Sequence, residues 1–319
     1  MPDTERRMRR GWTQVGVIAV FLAVVCLQCR KKETMPEKPT ELEYHVGLGD
    51  PEEIDEEVRP LFASTSHFQE MEEPEPGDWL AEHEEPGQSF MQFRRELPFR
   101  PRGDRDTIYV QPIGSFAGKE SPALDKLERF TEAYFQTPTK ILEPVDVGEI
   151  DVTSRENPHS GQKQLLTTDI VKYLSGELPD DGFCMVGITM IDLYPKASWN
   201  FVFGQAWPRE RAGVYSFARY TGDDDRPILW RSAKVMAHEL GHLFGIAHCT
   251  YFKCGMNGSN SLTESDSRPI HLCPVDLSKL HWSTGFDPIE RYAALAEFYG
   301  DAGWEEERSW VESRLELLE

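Results

Sequence analysis

Apolar positions along the chain fall into runs whose spacing changes from segment to segment, and those changes predict the elements. An unbroken apolar stretch at residues 108–113 reads as a strand buried on both faces. Ser121 can then cap a helix with Pro122 in its first turn, and Ala123, Leu127, Phe130 and Tyr134 follow at helical spacing. Residues 140–147 read as a second strand, and 164–174 as a second helix with Leu166, Ile170 and Leu174 on one face. Residues 184–191 are apolar enough for a central strand. Shorter strands are expected at 200–203 and 213–217, separated by Pro208 and a charged turn. A long helix begins near Trp230, and the pattern beyond Leu280 is helical again. The predicted class is α+β, with a twisted mixed sheet, one long helix and a mainly helical C-terminal part.

The front of the chain reads differently. Arg6, Arg7, Arg9 and Arg10 precede a thirteen-residue apolar run at 15–27, closed by Arg30, Lys31 and Lys32. That length suits a signal-peptide core better than a full membrane span, so residues 1–32 are expected to be a signal peptide or signal anchor. The protein is then membrane-anchored or exported through its N-terminus; a buried core segment, and with it a cytoplasmic protein, is the alternative. Residues 33–99 hold nineteen Asp and Glu against four Lys and Arg, within a chain whose net charge is −21. Such repulsion, with several prolines, predicts a solvated, disordered linker over 33–60. Phe68, Trp79, Phe90 and Phe93 argue that 61–104 is instead an extension docked on a catalytic domain at 105–319. The acidic balance excludes nucleic acid as a partner, since phosphate binding rests on Lys and Arg.

The chemistry concentrates at 238–248, His-Glu-Leu-Gly-His-Leu-Phe-Gly-Ile-Ala-His. Residues four apart on a helix share a face, so His238 and His242 can share a metal. Glu239 beside them is placed to hold a water and take its proton. Gly245 permits the left-handed backbone that ends a helix, after which His248 can approach as a third ligand. Three protein ligands leave a fourth position open, which is the mark of catalytic rather than structural zinc.

This spacing resembles that of the metzincins, whose methionine turn would be Met256. The continuation narrows the match: Cys249, Cys254, Gly255 and Met256, then Gly258-Ser259-Asn260-Ser261-Leu262, Arg268-Pro269, Leu272-Cys273-Pro274 and Leu277-Ser278-Lys279-Leu280. With these residues the chain resembles the archaemetzincins. Further similar segments are Ile108-Tyr109-Val110-Gln111-Pro112-Ile113-Gly114, Asp192-Leu193-Tyr194, Asn200-Phe201-Val202-Phe203-Gly204, Asp78-Trp79-Leu80 and Pro86-Gly87-Gln88-Ser89-Phe90. The resemblance spans residues 61–280. It implies a metzincin-like zinc peptidase fold, whose upper subdomain has this order of elements, and a structural zinc on four cysteines after the catalytic histidines. Here the last of those cysteines is Asp276.

Cys249, Cys254, Cys273 and Asp276 therefore stand as a second zinc site, because soft thiolates with one carboxylate can hold zinc. A Cys249–Cys254 disulfide or free thiols compete with that reading. His271 and His281 are candidates to replace the missing ligand, or are ordinary histidines. Cys184 reads as a packed core residue, and Asp223, Asp224 and Asp225 as a solvated turn. The leading function is a zinc-dependent metallopeptidase acting on peptide or protein, with Glu239 as general base. The alternative is a membrane-tethered zinc module that binds a partner without cleaving it. Residues 201–203 are expected to form the edge strand above the zinc that pairs with an extended substrate.

Overall fold

The computed structural model describes residues 38–49, 54–117, 121–220 and 228–319. Four short helices come first: α1 (Glu41–Leu48), α2 (Arg59–Ala63), α3 (Trp79–Glu82) and α4 (Phe90–Arg95). The central part follows as β1 (Thr107–Ile113), α5 (Leu124–Phe135), β2 (Thr139–Ile141), β3 (Ser154–Glu156), β4 (Lys163–Leu166), α6 (Thr167–Glu177), β5 (Gly182–Thr189), β6 (Asp192–Tyr194), β7 (Gly204–Trp207) and β8 (Ala212–Ser216). The long helix α7 (Ile228–Leu243) leads to α8 (Leu262–Asp266), α9 (Pro274–Thr284), α10 (Pro288–Ala302) and α11 (Glu305–Leu315).

The main sheet has the order β2-β1-β5-β8-β7, parallel except for β7, which runs antiparallel to β8 at one edge. A smaller sheet has the order β3-β4-β6. The β1 and β5 sequences run apolar because both faces of the sheet are covered. Ile108 and Val110 of β1, with Cys184, Val186 and Ile188 of β5, face the core built by α5 and α7, whereas Tyr109 and Met185 face the one built by α6. Cys184 is fully buried there, and burial holds its thiol protonated.

The differences from the sequence expectation have physical causes. The second strand stops at Ile141 because Pro144 offers no N–H to a ladder; Val145 returns only as an isolated bridge to Ile113. Residues 163–166 form β4 rather than the start of a helix, since Gln164 and Leu165 are drawn into pairing with β6. Residues 201–203 are not a strand: Val202 makes one bridge to Leu193, and the edge strand is β7, three residues later.

The acidic stretch expected to be a linker contains α1, which Thr40 and Glu43 close with a capping box and whose Tyr44 packs on Phe252 with ring centroids 5.2 Å apart. Leu61, Phe62 and Phe93 are buried in the main core. The expected membrane attachment or export is corrected: among the described residues no helix is long and apolar enough to cross a membrane. The longest, α7, has 16 residues and carries charge, where a span needs about 20 apolar ones. The apolar run at 15–27 and Asp223, Asp224 and Asp225 lie outside the described residues.

Candidate metal centres

Helix α7 buries Ala233, Met236, Ala237, Leu240 and Leu243 against the core, which turns His238 and His242 toward a cleft on its other side. The helix ends in a paired cap: Gly245 N–H donates to His242 O, and Ile246 N–H to Gly241 O. Gly245 has φ +85°, and a Cβ there would also overlap Pro98, so no other residue fits the turn. The reversal brings His248 back to the first two histidines.

The three imidazoles have ring centroids 4.6, 4.9 and 5.2 Å apart, and His238 Nε2 lies 3.1 Å from His242 Nε2. Tetrahedral zinc with nitrogen ligands at about 2.0–2.1 Å would separate them by about 3.3–3.4 Å, so the donor set fits that ion. Every Nδ1 is tied down. His238 Nδ1 meets Gly255 O at 2.9 Å, His242 Nδ1 meets Ile246 O at 2.7 Å, and His248 Nδ1 meets the Glu85 carboxylate at 2.9 and 3.0 Å. A ring that donates through Nδ1 presents its Nε2 lone pair, which is the ligand form. Burial, aided by the neighbouring imidazoles, holds His238 well below its ordinary value and pushes His242 down to about 3. Both stay neutral and ready to ligate.

Glu239 is buried beside them, and burial pushes its carboxyl up to about 8. Its carboxylate rests on Gly204 at the start of β7, where any Cβ would overlap it. Beneath the histidines, the fully buried Met256 packs its sulfur into the space that Gly241 leaves by lacking a side chain. A cavity of about 420 Å³ opens in front of His238, Glu239, His242 and His248, walled by Trp79, Phe203–Ala206 and Val235.

The second cluster lies a few residues on. Cys249, Cys254, Cys273 and Asp276 are all buried, with ligand atoms within 4.8 Å of one another. Cys249 Sγ is 3.6 Å from Cys273 Sγ, and Asp276 Oδ2 is 3.2 and 3.4 Å from the sulfurs of Cys254 and Cys273. With Zn–S near 2.3 Å, tetrahedral zinc sets such edges at about 3.5–3.8 Å, so three thiolates and a carboxylate fit it too. All three cysteines are free of disulfides. Asp276 divides its oxygens, since Oδ1 takes the buried ammonium of Lys279 at 2.8 Å. Burial, with Cys249 nearby, pushes the Asp276 carboxyl up to about 6.

Neither candidate substitute joins this cluster. His271 stacks on Trp310 and sits 2.6 Å from Glu307, and His281 packs between Phe62 and Phe286. Sequence reasoning gave no role to Glu85, Gln88 or Lys279. Glu85 was one acid among nineteen, and nothing local distinguished it.

Known proteins similar to this chain fall in one family. A model of peptidase family M54 matches residues 140–281. The chain is 40% identical over 263 residues to archaemetzincin-2 of Macaca fascicularis, covering 71% of this chain and 73% of that one. It is 35% identical over 254 residues to archaemetzincin-1 of Homo sapiens, covering 68% of this chain and 51% of that one. The crystal structure of the archaemetzincin from Methanopyrus kandleri aligns with 29% identity over 57% of this chain and 97% of that chain, at a TM-score of 0.46. At 40% identity to archaemetzincin-2 over about seven-tenths of both chains, the chain belongs to the archaemetzincins and is a zinc metallopeptidase.

Proposed function

We propose that His238, His242 and His248 hold the catalytic zinc, that Glu239 is the general base for peptide-bond hydrolysis, and that Cys249, Cys254, Cys273 and Asp276 hold a second, structural zinc. The observation that carries the catalytic reading is the convergence of three Nε2 atoms whose Nδ1 atoms are each engaged elsewhere. When bound, zinc acidifies a water and polarises the scissile carbonyl. Glu239 would accept a proton from the attacking water and return it to the leaving amine, so no covalent intermediate is needed. Trp79 and Phe203 wall the cavity in which the substrate would lie.

The substrate is an extended stretch of peptide or protein. Val202 N–H is already donated to Leu193 O at 3.1 Å, so residues 201–203 are not the pairing edge. The outer edge of β7 takes that role in this reading, because it ends the sheet and passes directly over Glu239.

The test is Glu239→Gln. This variant should retain parent zinc content and lose hydrolysis of a peptide library by about 10²–10⁴-fold. Undiminished turnover would remove Glu239 from the mechanism.

A further inference from the structure

Two of the three histidines are oriented by main-chain carbonyls that lie close to them in sequence, Gly255 O and Ile246 O. The third is oriented by a carboxylate 163 residues away, on the extension that precedes the sheet. His238 and His242 also inherit a fixed backbone from α7, whereas His248 follows the end of that helix. The loop that carries it needs other restraints.

The extension supplies them in sequence. Gln88 is buried and grips the loop at two points, accepting from Ala247 N–H at 3.1 Å and donating to Gly245 O at 3.2 Å; Glu96 holds the same amide at 2.7 Å. Pro98 fills the space over Gly245. Trp79 stands edge-on to the His248 ring, with centroids 5.2 Å apart and planes at 83°. Between these contacts both Glu85 oxygens reach His248 Nδ1. A carboxylate acceptor makes a stronger bond than a carbonyl and raises the basicity of the ring it holds.

We propose that Glu85 is a positioning residue of the zinc centre: it fixes His248 as the Nδ1–H tautomer and aims Nε2 at the metal, so the extension at 79–98 is part of the active site. The inference rests on the reading of His248 as a zinc ligand. Without Glu85 the ring would lose its strongest orienting bond, and the other two histidines have no means of restoring it.

The experiment is zinc affinity of the full chain, by chelator competition, for the parent, Glu85→Ala, Glu85→Gln, His248→Ala and the Glu85→Ala/His248→Ala double variant. Cobalt substitution separates the sites, since only the cysteine cluster gives thiolate charge-transfer bands. Glu85→Ala should weaken the histidine site about 10–100-fold. Glu85→Gln keeps an oxygen acceptor without the charge and should recover part of that loss, an outcome that general destabilisation of the extension does not produce. It also carries the test if Glu85→Ala fails to fold. Adding Glu85→Ala to His248→Ala should cost nothing further. Histidine-site affinity within about twofold of the parent in the Glu85 variants, or the same loss with and without His248, overturns the proposal. A parent with no zinc at its histidines would overturn the metal reading along with it.

Discussion

The histidine and cysteine clusters lie within one short stretch of chain and differ in almost every physical respect. The histidines are partly exposed at the wall of a cavity, number three, and carry a polar partner on each far nitrogen. The thiols and Asp276 are fully enclosed, number four, and contact one another directly. An open coordination position and solvent access are what hydrolysis needs; closure is what a crosslink needs. The segment from Gly255 to Leu272 contains only one short helix, α8, so a metal crosslink at its two ends would do for it what a larger core does elsewhere.

The sharpest way to break the comparison is to remove one ligand from each side. His242→Ala should end peptide hydrolysis while leaving the thermal midpoint close to that of the parent. A variant that still turns over would make the open site something other than catalytic. Gly204→Ala should come next. Its new Cβ displaces the Glu239 carboxylate without touching a ligand, so kcat should fall about 10²-fold at unchanged zinc content. Loss of zinc instead would show that β7 supports the ligands and not the base.

Cys254→Ser should do the reverse of His242→Ala. Losing a structural zinc worth several kcal/mol should lower the thermal midpoint by about 10 °C, and activity at moderate temperature should fall only a few-fold. Equal stability in a melting curve would mean the closed cluster is not a crosslink. The smallest effect is expected for Asp276→Cys. A softer ligand should tighten zinc binding, but the change strands the buried Lys279 ammonium, so the gain in stability is offset. Adding Lys279→Met should release that gain, readable as a rise of a few degrees over Asp276→Cys alone.

The two clusters were also unequally legible. His238, Glu239, His242 and His248 are close in sequence because a helix and its cap bring them together, so spacing alone revealed them. Cys273 stood out by its crowding with Cys249 and Cys254 beside the histidines, whereas Asp276 was visible only through family resemblance. Glu85 was hidden in an acidic stretch whose composition argued for solvation. Its role depends on where the extension docks, which pattern does not encode. The same limit moved the edge strand from 201–203 to β7: apolar character marked the segment, whereas the ladder to β8 fixed the register. The apolar central strands and the amphipathic α5 and α7 were readable because burial on known faces dictates their periodicity.

Two zinc ions in sites of opposite design within one chain are what the paired geometry leads us to expect. Native mass spectrometry of the zinc-loaded parent, His242→Ala and Cys254→Ser tests this expectation most directly. Two zinc ions in the parent and one in each variant, with hydrolysis surviving only where the histidines are intact, is the predicted result. A parent holding a single zinc ion that Cys254→Ser leaves in place would contradict it.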